Sequence, residues 1–152
     1  AVAAYRERLL PLATVTTPNR PEAEQLLGEG EPLDPETLAQ RLAGRFGCSV
    51  LVTGGHEAHG SSAIDHLAHE GASHRFESPW VEISSSHGTG CTLSAALAAH
   101  LALGRSVPEA VPAAKQFLDR ALAESYAWPG TGDEELRAIN QLPPHPFRAE
   151  ES

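Results

Sequence analysis

Short β-branched runs alternate with helical segments along most of this 152-residue chain. Residues 12–17 (LATVTT) and 49–52 (SVLV) have the apolar, β-branched composition of buried strands. Between them, one predicted helix ends at Gly28, and a second runs over residues 35–45, after an aspartate that can cap it. Because strands and helices in this order build a sheet covered by helices, the sequence predicts an α/β fold with a mostly parallel sheet.

The second half of the chain predicts a hairpin followed by two long helices. Residues 61–69 and 73–80 alternate in polarity on either side of Glu70-Gly71, which is typical of an antiparallel pair. We place this pair at or near one edge of the sheet. The Ala- and Leu-rich stretch 88–103 and the stretch 107–125 have the composition of helices, and a glycine separates them.

The two ends of the chain differ from this pattern. From Trp128 onward the sequence is rich in Pro and Gly, with one short helix expected near residues 134–140 and a loose tail over residues 143–152. We therefore expect one folded unit over residues 1–142, an ordinary length for a single domain. The first residue is not Met, so we expect the chain to be a piece of something longer.

Composition and charge exclude several classes of function. With 41% hydrophobic residues the chain can form a packed core, so global disorder is not expected. A net charge of −9 predicts neither a nucleic-acid-binding face nor binding to an anionic membrane, and no apolar run has the length of a spanning helix. Two distant cysteines, Cys48 and Cys91, are not a disulfide framework, so a cytoplasmic setting is expected.

The sequence HGTGC at residues 87–91 is the most informative motif. Gly88 and Gly90 allow a sharp turn and let backbone amides approach an anion with no Cβ in the way. The helix that follows adds N–H groups without helical partners and the positive end of its dipole. Phosphoryl transfer depends on a fixed positive field of this kind. The motif therefore predicts a phosphoryl-binding turn.

Cys91 lies at the mouth of this turn. The positive end of a helix favours the thiolate form of a thiol, so Cys91 is a candidate general base toward a substrate hydroxyl. The alternative is an ordinary tight turn followed by a small buried cysteine. From the residues alone the two interpretations have about equal weight, because short glycine motifs are common and this one is neither a Walker A motif nor GxGxxG.

Two further motifs follow the predicted strands, NRPE at residues 19–22 and TGG at residues 53–55. Ligands of α/β proteins bind at the carboxyl edge of parallel strands. Asn19 and Glu22 offer hard oxygen ligands that suit Mg²⁺, directly or through its waters. The alternative, which is favoured for this motif alone, is that Asn19 caps a helix and Glu22 stabilises its dipole. The TGG motif is a weak indication of a nucleotide phosphate.

In this order the motifs resemble the hydroxymethylpyrimidine/phosphomethylpyrimidine kinases of thiamine biosynthesis, in the ribokinase superfamily. The resemblance is carried by TPNRPEAEQLLG at 17–28, VLVTGGH at 50–56, SHGTGCTLSAALAAHLALG at 86–104 and VPEAVPAAKQFLDRAL at 107–122. HGTGC is quite specific, since most ribokinase-like relatives carry Asp where this branch carries Cys. The resemblance implies a ribokinase-like, three-layer α/β/α fold and Mg²⁺- and ATP-dependent phosphorylation of a hydroxymethylpyrimidine and then of its monophosphate.

The resemblance also implies two sets of site residues. The catalytic set, which supplies the base and the anion hole, is Gly88, Thr89, Gly90 and Cys91. The cofactor-binding set is Asn19, Glu22, Thr53, Gly55 and Lys115. Asn19 and Glu22 match the family's Asn-x-x-Glu motif, which supports magnesium, by an indirect contact, and the ATP phosphates. Lys115 matches a lysine common in its helix, and its role is left open.

The chain departs from the family in two respects. The family usually has Lys at the position of Thr53, where a lysine would neutralise phosphate charge and Thr53 offers only a hydroxyl. The family's N-terminal portion, with much of the pyrimidine pocket, has no counterpart in this chain. We therefore expect the nucleotide and catalytic half of an enzyme, inactive alone, whose exposed sheet edge pairs with a missing N-terminal part or with a second copy in a homodimer.

Three other interpretations stay open at this point. A pyridoxal-type kinase would use the same chemistry on a related hydroxymethyl heterocycle, although Cys91 favours the pyrimidine. A non-catalytic module that binds a phosphate or a pyrimidine would need the turn but no base. A structural remnant would have no affinity for nucleotides at all.

Overall fold

A four-stranded sheet lies between two layers of helices in the computed structural model, which describes residues 2–28, 30, 32–54, 62–80, 88–129 and 135–142. In spatial order its strands are β1 (Val15–Thr16), β2 (Ser49–Val52), β3 (Ser62–His69) and β4 (Ala72–Pro79). The α-helices are α1 (Val2–Ala4), α2 (Arg20–Leu27), α3 (Pro35–Phe46), α4 (Thr89–Ala102) and α5 (Val107–Ala123), and α1 is followed by a π-helical segment (Tyr5–Leu9) and a 3₁₀ turn (Leu10–Leu12). None of the helices in these ranges is long and apolar enough to cross a bilayer.

The α/β class is confirmed, but the expectation of a mostly parallel sheet is wrong for these four strands. β1 and β2 are parallel, whereas β2–β3 and β3–β4 are antiparallel. Chain lengths explain the difference. A parallel crossover needs about a dozen residues or more, and residues 53–61 are fewer than that. The two-residue turn Glu70-Gly71 allows only an antiparallel hairpin, which lies at the sheet edge as expected.

Local capping sets the bounds of the helices close to those expected from the sequence. The carboxylate of Asp34 accepts the backbone N–H of Thr37 at 2.9 Å, and α3 ends at Gly47, whose φ is 71°. At the start of α5 the carboxylate of Glu109 accepts the backbone N–H of Ser106 at 2.9 Å. These caps satisfy backbone groups that the helices themselves leave without partners.

Side chains on β2 alternate between two hydrophobic clusters, one on each face of the sheet. Val50 and Val52 face the first cluster and Leu51 faces the second, all fully buried. With the two valines, the first cluster contains Leu10, Leu26, Leu27, Leu38, Leu42 and Ala68. With Leu51, the second contains Leu67, Leu93, Leu97, Val107 and Val111. A strand buried on both faces is the centre of the expected three-layer α/β/α arrangement.

The C-terminal region forms a separate two-stranded ribbon, where we expected a short helix near residues 134–140. Strand β5 (Tyr126–Pro129) pairs antiparallel with β6 (Glu135–Ala138). A helix of so few residues is marginal without tertiary contacts, whereas pairing gives the same backbone a hydrogen-bonded partner. The predicted loose tail, residues 143–152, lies outside the described residues.

Candidate functional site

The two motifs that follow β1 and β2 lie side by side. The backbone N–H of Thr53 donates to the carbonyl of Pro18 at 2.9 Å, and Asn19 and Thr53 form a parallel bridge beyond the strands. This contact follows from the parallel pairing of β1 with β2, because the carboxyl ends of such strands share one edge. Two residues that the sequence placed in one site are therefore neighbours in the fold.

Hydroxyl groups attach the start of α4 to the same edge. Thr17, at the end of β1, shares a hydrogen bond of 2.8 Å with the hydroxyl of Ser94. The Ser94 hydroxyl donates in turn to the carbonyl of Gly90 at 2.8 Å. On the other side of the helix, the side-chain amide of Gln141 donates to the hydroxyl of Thr92 at 2.7 Å. The first turn of α4 is therefore held beside the strand ends.

The two glycines of the HGTGC motif have different roles. Gly88 is the N-cap of α4 and has a φ of 93°, a left-handed conformation that favours glycine. Gly90 is helical, and a Cβ added there would meet no atom of the described chain within 4 Å. The backbone therefore requires glycine at position 88 but not at position 90. Cys91, the next residue of the helix, is exposed.

Asn19 and Glu22 form a reciprocal capping box at the start of α2. The backbone N–H of Glu22 donates to Asn19 Oδ1 at 2.9 Å, and the backbone N–H of Asn19 donates to Glu22 Oε2 at 2.9 Å. The capping interpretation is therefore confirmed. Each of these bonds uses one lone-pair position of an oxygen, and an exposed carboxylate offers about four. The assignment of both residues to magnesium stays a prediction.

Replacing Asn19 by alanine is expected to lower the free energy of unfolding by about 1 kcal/mol, because one N–H at the start of α2 loses its acceptor. Urea unfolding followed by circular dichroism measures the change. Glu22→Gln is the matched control, since it keeps an oxygen acceptor at the same place and should change the stability much less. If Asn19→Ala is as stable as the parent chain, the capping box does not stabilise the fold.

A buried ion pair lies behind the Thr53-Gly54 turn, and the sequence analysis missed it. Asp65 on β3 accepts the backbone N–H of Gly54 through Oδ1 at 2.9 Å, and its Oδ2 accepts from the ammonium group of Lys115 on α5. Asp65 is 4% exposed and Lys115 8%. The available signals were an acidic residue in a predicted strand and the single lysine of the chain.

A second carboxylate lies one helical turn beyond Lys115. Burial raises the pKa of the Asp119 carboxyl, the positive charge of Lys115 opposes that rise, and the negative charge of Asp65 adds to it. The ammonium group of Lys115 therefore pairs with Asp65 and offsets only part of the effect of burial on Asp119.

The structure brings most of the predicted site residues to one edge of the sheet. Asn19 and Thr53 are in contact, and α4 begins beside them through Thr17. The ammonium group of Lys115 contacts Asp65. Gly55 lies outside the described residues. The roles assigned to all of these residues stay predictions.

The chain is similar to small-molecule kinases. The phosphomethylpyrimidine kinase family matches residues 1–135. The hydroxymethylpyrimidine/phosphomethylpyrimidine kinase of Streptomyces coelicolor is 42% identical over 130 residues, which cover 83% of this chain and 47% of that protein. The pyridoxine kinase of Bacillus subtilis is 41% identical over 126 residues, which cover 81% of this chain and 46% of that protein.

A solved structure of similar fold is the pyridoxal kinase from Staphylococcus aureus in complex with ADP. It matches with a TM-score of 0.80 and 30% identity over 92% of this chain and 51% of that one. The family resemblance and the ribokinase-like fold expected from the sequence are confirmed. The chain spans about half the length, or less, of the curated relatives it matches.

Proposed function

From the premise that this chain belongs to the phosphomethylpyrimidine kinase family, we propose that it supplies the ATP-binding and anion-hole half of a cytoplasmic, magnesium-dependent kinase. The complete enzyme transfers the γ-phosphoryl group of ATP to the hydroxyl of a hydroxymethylpyrimidine, and a second phosphoryl group to the resulting monophosphate. The observation that carries the proposal is the position of the α4 N-terminus beside the ends of β1 and β2.

The first turn of α4 stabilises the negative charge that grows on the transferred phosphoryl group. Its backbone amides and the positive end of its dipole face the space in front of Gly88 and Gly90. In the thiolate form, Cys91 accepts the hydroxyl proton of the substrate on Sγ. The substrate oxygen then bonds to the γ-phosphorus as the bond to the ADP oxygen breaks.

Magnesium suits the oxygen groups at the start of α2. The Glu22 side chain is exposed and keeps lone pairs that the capping bond to Asn19 does not use. An indirect contact through water therefore needs no rearrangement of the helix end. When bound with ATP, Mg²⁺ would neutralise phosphate charge, which Thr53 cannot do in place of the family's usual lysine. The ammonium group of Lys115 forms an ion pair with Asp65.

The β1 edge supports pairing with the rest of a kinase domain. Among the described strands, β1 pairs only with β2, and a cavity of about 270 Å³ lies where the end of β1 meets α2. The cavity is lined by Tyr5, Thr16, Thr17, Pro18, Glu22, Gln25 and Leu26. Since the relatives are about twice as long, we propose that the other half of such a domain, from a missing part or a second copy, completes the sheet here.

A pyridoxal-type kinase is the second candidate. The Bacillus subtilis and Staphylococcus aureus matches favour it, because those proteins are named as pyridoxine and pyridoxal kinases. Cys91 favours the pyrimidine substrate. A module that binds phosphate without catalysis is the third candidate, favoured by the half-length match and by Thr53.

Isothermal titration of this chain with Mg-ATP, or with a non-hydrolysable analogue, tests the proposal. We expect saturable binding of nucleotide that weakens when EDTA removes magnesium, because the phosphates then lose a neutralising charge. Added hydroxymethylpyrimidine should change the binding little, since most of its pocket belongs to the other half. If a sample that is folded by circular dichroism binds no nucleotide, the proposed function is wrong for this chain.

A further inference from the structure

The buried ion pair at the junction of β3 and α5 has no role in the reaction described above. We infer that Asp65 and Lys115 are positioning residues. They fix the backbone of Gly54 and, through it, Thr53 at the end of β2, on the edge of the sheet where the nucleotide is proposed to bind. The effect on nucleotide binding rests on the proposed function, whereas the effect on Gly54 does not.

The buried carboxylate of Asp65 is held by Lys115 and in turn holds Gly54. A carboxylate that is 4% exposed stays ionised only with compensation, and the ammonium group of Lys115 provides it on Oδ2. The ionised group then uses Oδ1 to accept the backbone N–H of Gly54 at 2.9 Å. Lys115 therefore acts on Gly54 through Asp65.

The backbone of Gly54 packs closely against β3. A Cβ at this residue would lie 2.0 Å from the backbone oxygen of Ile64, so the Gly54 backbone rests directly on β3. Its neighbour Thr53 is bonded on the opposite side to the carbonyl of Pro18. Gly54 is therefore fixed to β3 and Thr53 to the segment that follows β1. A shift of Gly54 would move Thr53 and its bridge partner Asn19.

The burial and pairing of Lys115 favour a positioning role over direct binding of phosphate. The lysine is 8% exposed, and its ammonium group bonds to Asp65. Asp119 also depends on it, because the ammonium charge opposes the effect of burial on the Asp119 pKa. A positive charge engaged by a buried carboxylate contributes little field at the surface where phosphates bind.

A double variant tests the inference, because it removes both charges at once. Asp65→Leu/Lys115→Met replaces the pair by apolar side chains and should fold, whereas Lys115→Met alone leaves a buried carboxylate uncompensated and should be much less stable. In the double variant the Gly54 amide has lost its acceptor. We expect its NMR proton signal to move upfield, its hydrogen exchange to accelerate and the dissociation constant for Mg-ATP to rise about tenfold.

The control is the exposed ion pair between Arg75 and Glu77 on β4, 2.9 Å apart. The variant Arg75→Met/Glu77→Gln should leave the Gly54 signal and the nucleotide affinity unchanged. A folded Asp65→Leu/Lys115→Met variant with an unchanged Gly54 amide and parental affinity would overturn the inference, since the pair would then serve stability alone. If the parent chain binds no nucleotide, the proposed function fails and the Gly54 amide alone decides the inference.

Discussion

Replacing Gly54 by alanine is expected to remove about 4 kcal/mol or more of the free energy of unfolding. The added Cβ would lie 2.0 Å from the Ile64 carbonyl oxygen, and the contact is to backbone, which cannot rotate away as a side chain can. Relief requires a shift between the turn and β3, which breaks the hydrogen bond from Gly54 to Asp65. Since domains of this size have about 5–15 kcal/mol in total, such a loss leaves a marginal fold.

Gly44→Ala is the control, and it should change the free energy of unfolding in the opposite direction. Gly44 lies within α3, and a Cβ added there meets no atom within 4 Å in the part of the chain that the structure describes. Gly44→Ala should therefore stabilise the chain by about 0.5–1 kcal/mol through helix propensity alone. Urea unfolding of both variants gives the comparison. If Gly54→Ala loses less than about 1 kcal/mol, the close contact with β3 is not present in solution.

Local patterns were sufficient to predict the parts of the fold that local energies determine. The strand at residues 49–52 was predicted with its observed bounds, because a short β-branched, apolar run before a Thr-Gly pair is typical of a buried strand. Asp34 and Gly47 marked the ends of α3 by capping. The β5–β6 ribbon was missed because its two strands have only four residues each, which is too short for a periodic signal.

The candidate site was predictable only in part, for a related reason. Asn19 and Thr53 were expected to meet because parallel strands end at one edge, and they do. Asp65 and Lys115 are fifty residues apart, and no local rule connects two such positions. Gly54 was considered only as part of the TGG motif, a weak indication of a nucleotide phosphate, whereas its requirement for glycine comes from the contact with Ile64. Contacts between distant segments are the information that composition and spacing do not contain.

Replacing Gly90 by alanine is expected to raise the stability of the chain and to weaken its binding of Mg-ATP at least about tenfold. Gly90 is helical, and a Cβ there meets no atom of the described residues within 4 Å, so alanine should add about 0.5 kcal/mol of helix propensity. A Cβ in the first turn leans toward the N-terminus of the helix. In α4 that direction leads to the space where the phosphoryl group is expected to lie, so the methyl group should keep the anion away from the amides.

Cys91→Ala is the matched control, because it changes the next residue of the same turn and keeps every backbone amide. As the proposed base, the Cys91 thiol contacts the substrate hydroxyl and not ATP. The dissociation constant for Mg-ATP should therefore change by less than about threefold. Turnover of a completed kinase should fall about 10²–10⁴-fold. Titration and unfolding of both variants separate the possible outcomes. If Gly90→Ala binds nucleotide as the parent does, the start of α4 does not bind the phosphates. If both variants lose binding equally, the thiol itself contacts the nucleotide and is not the base.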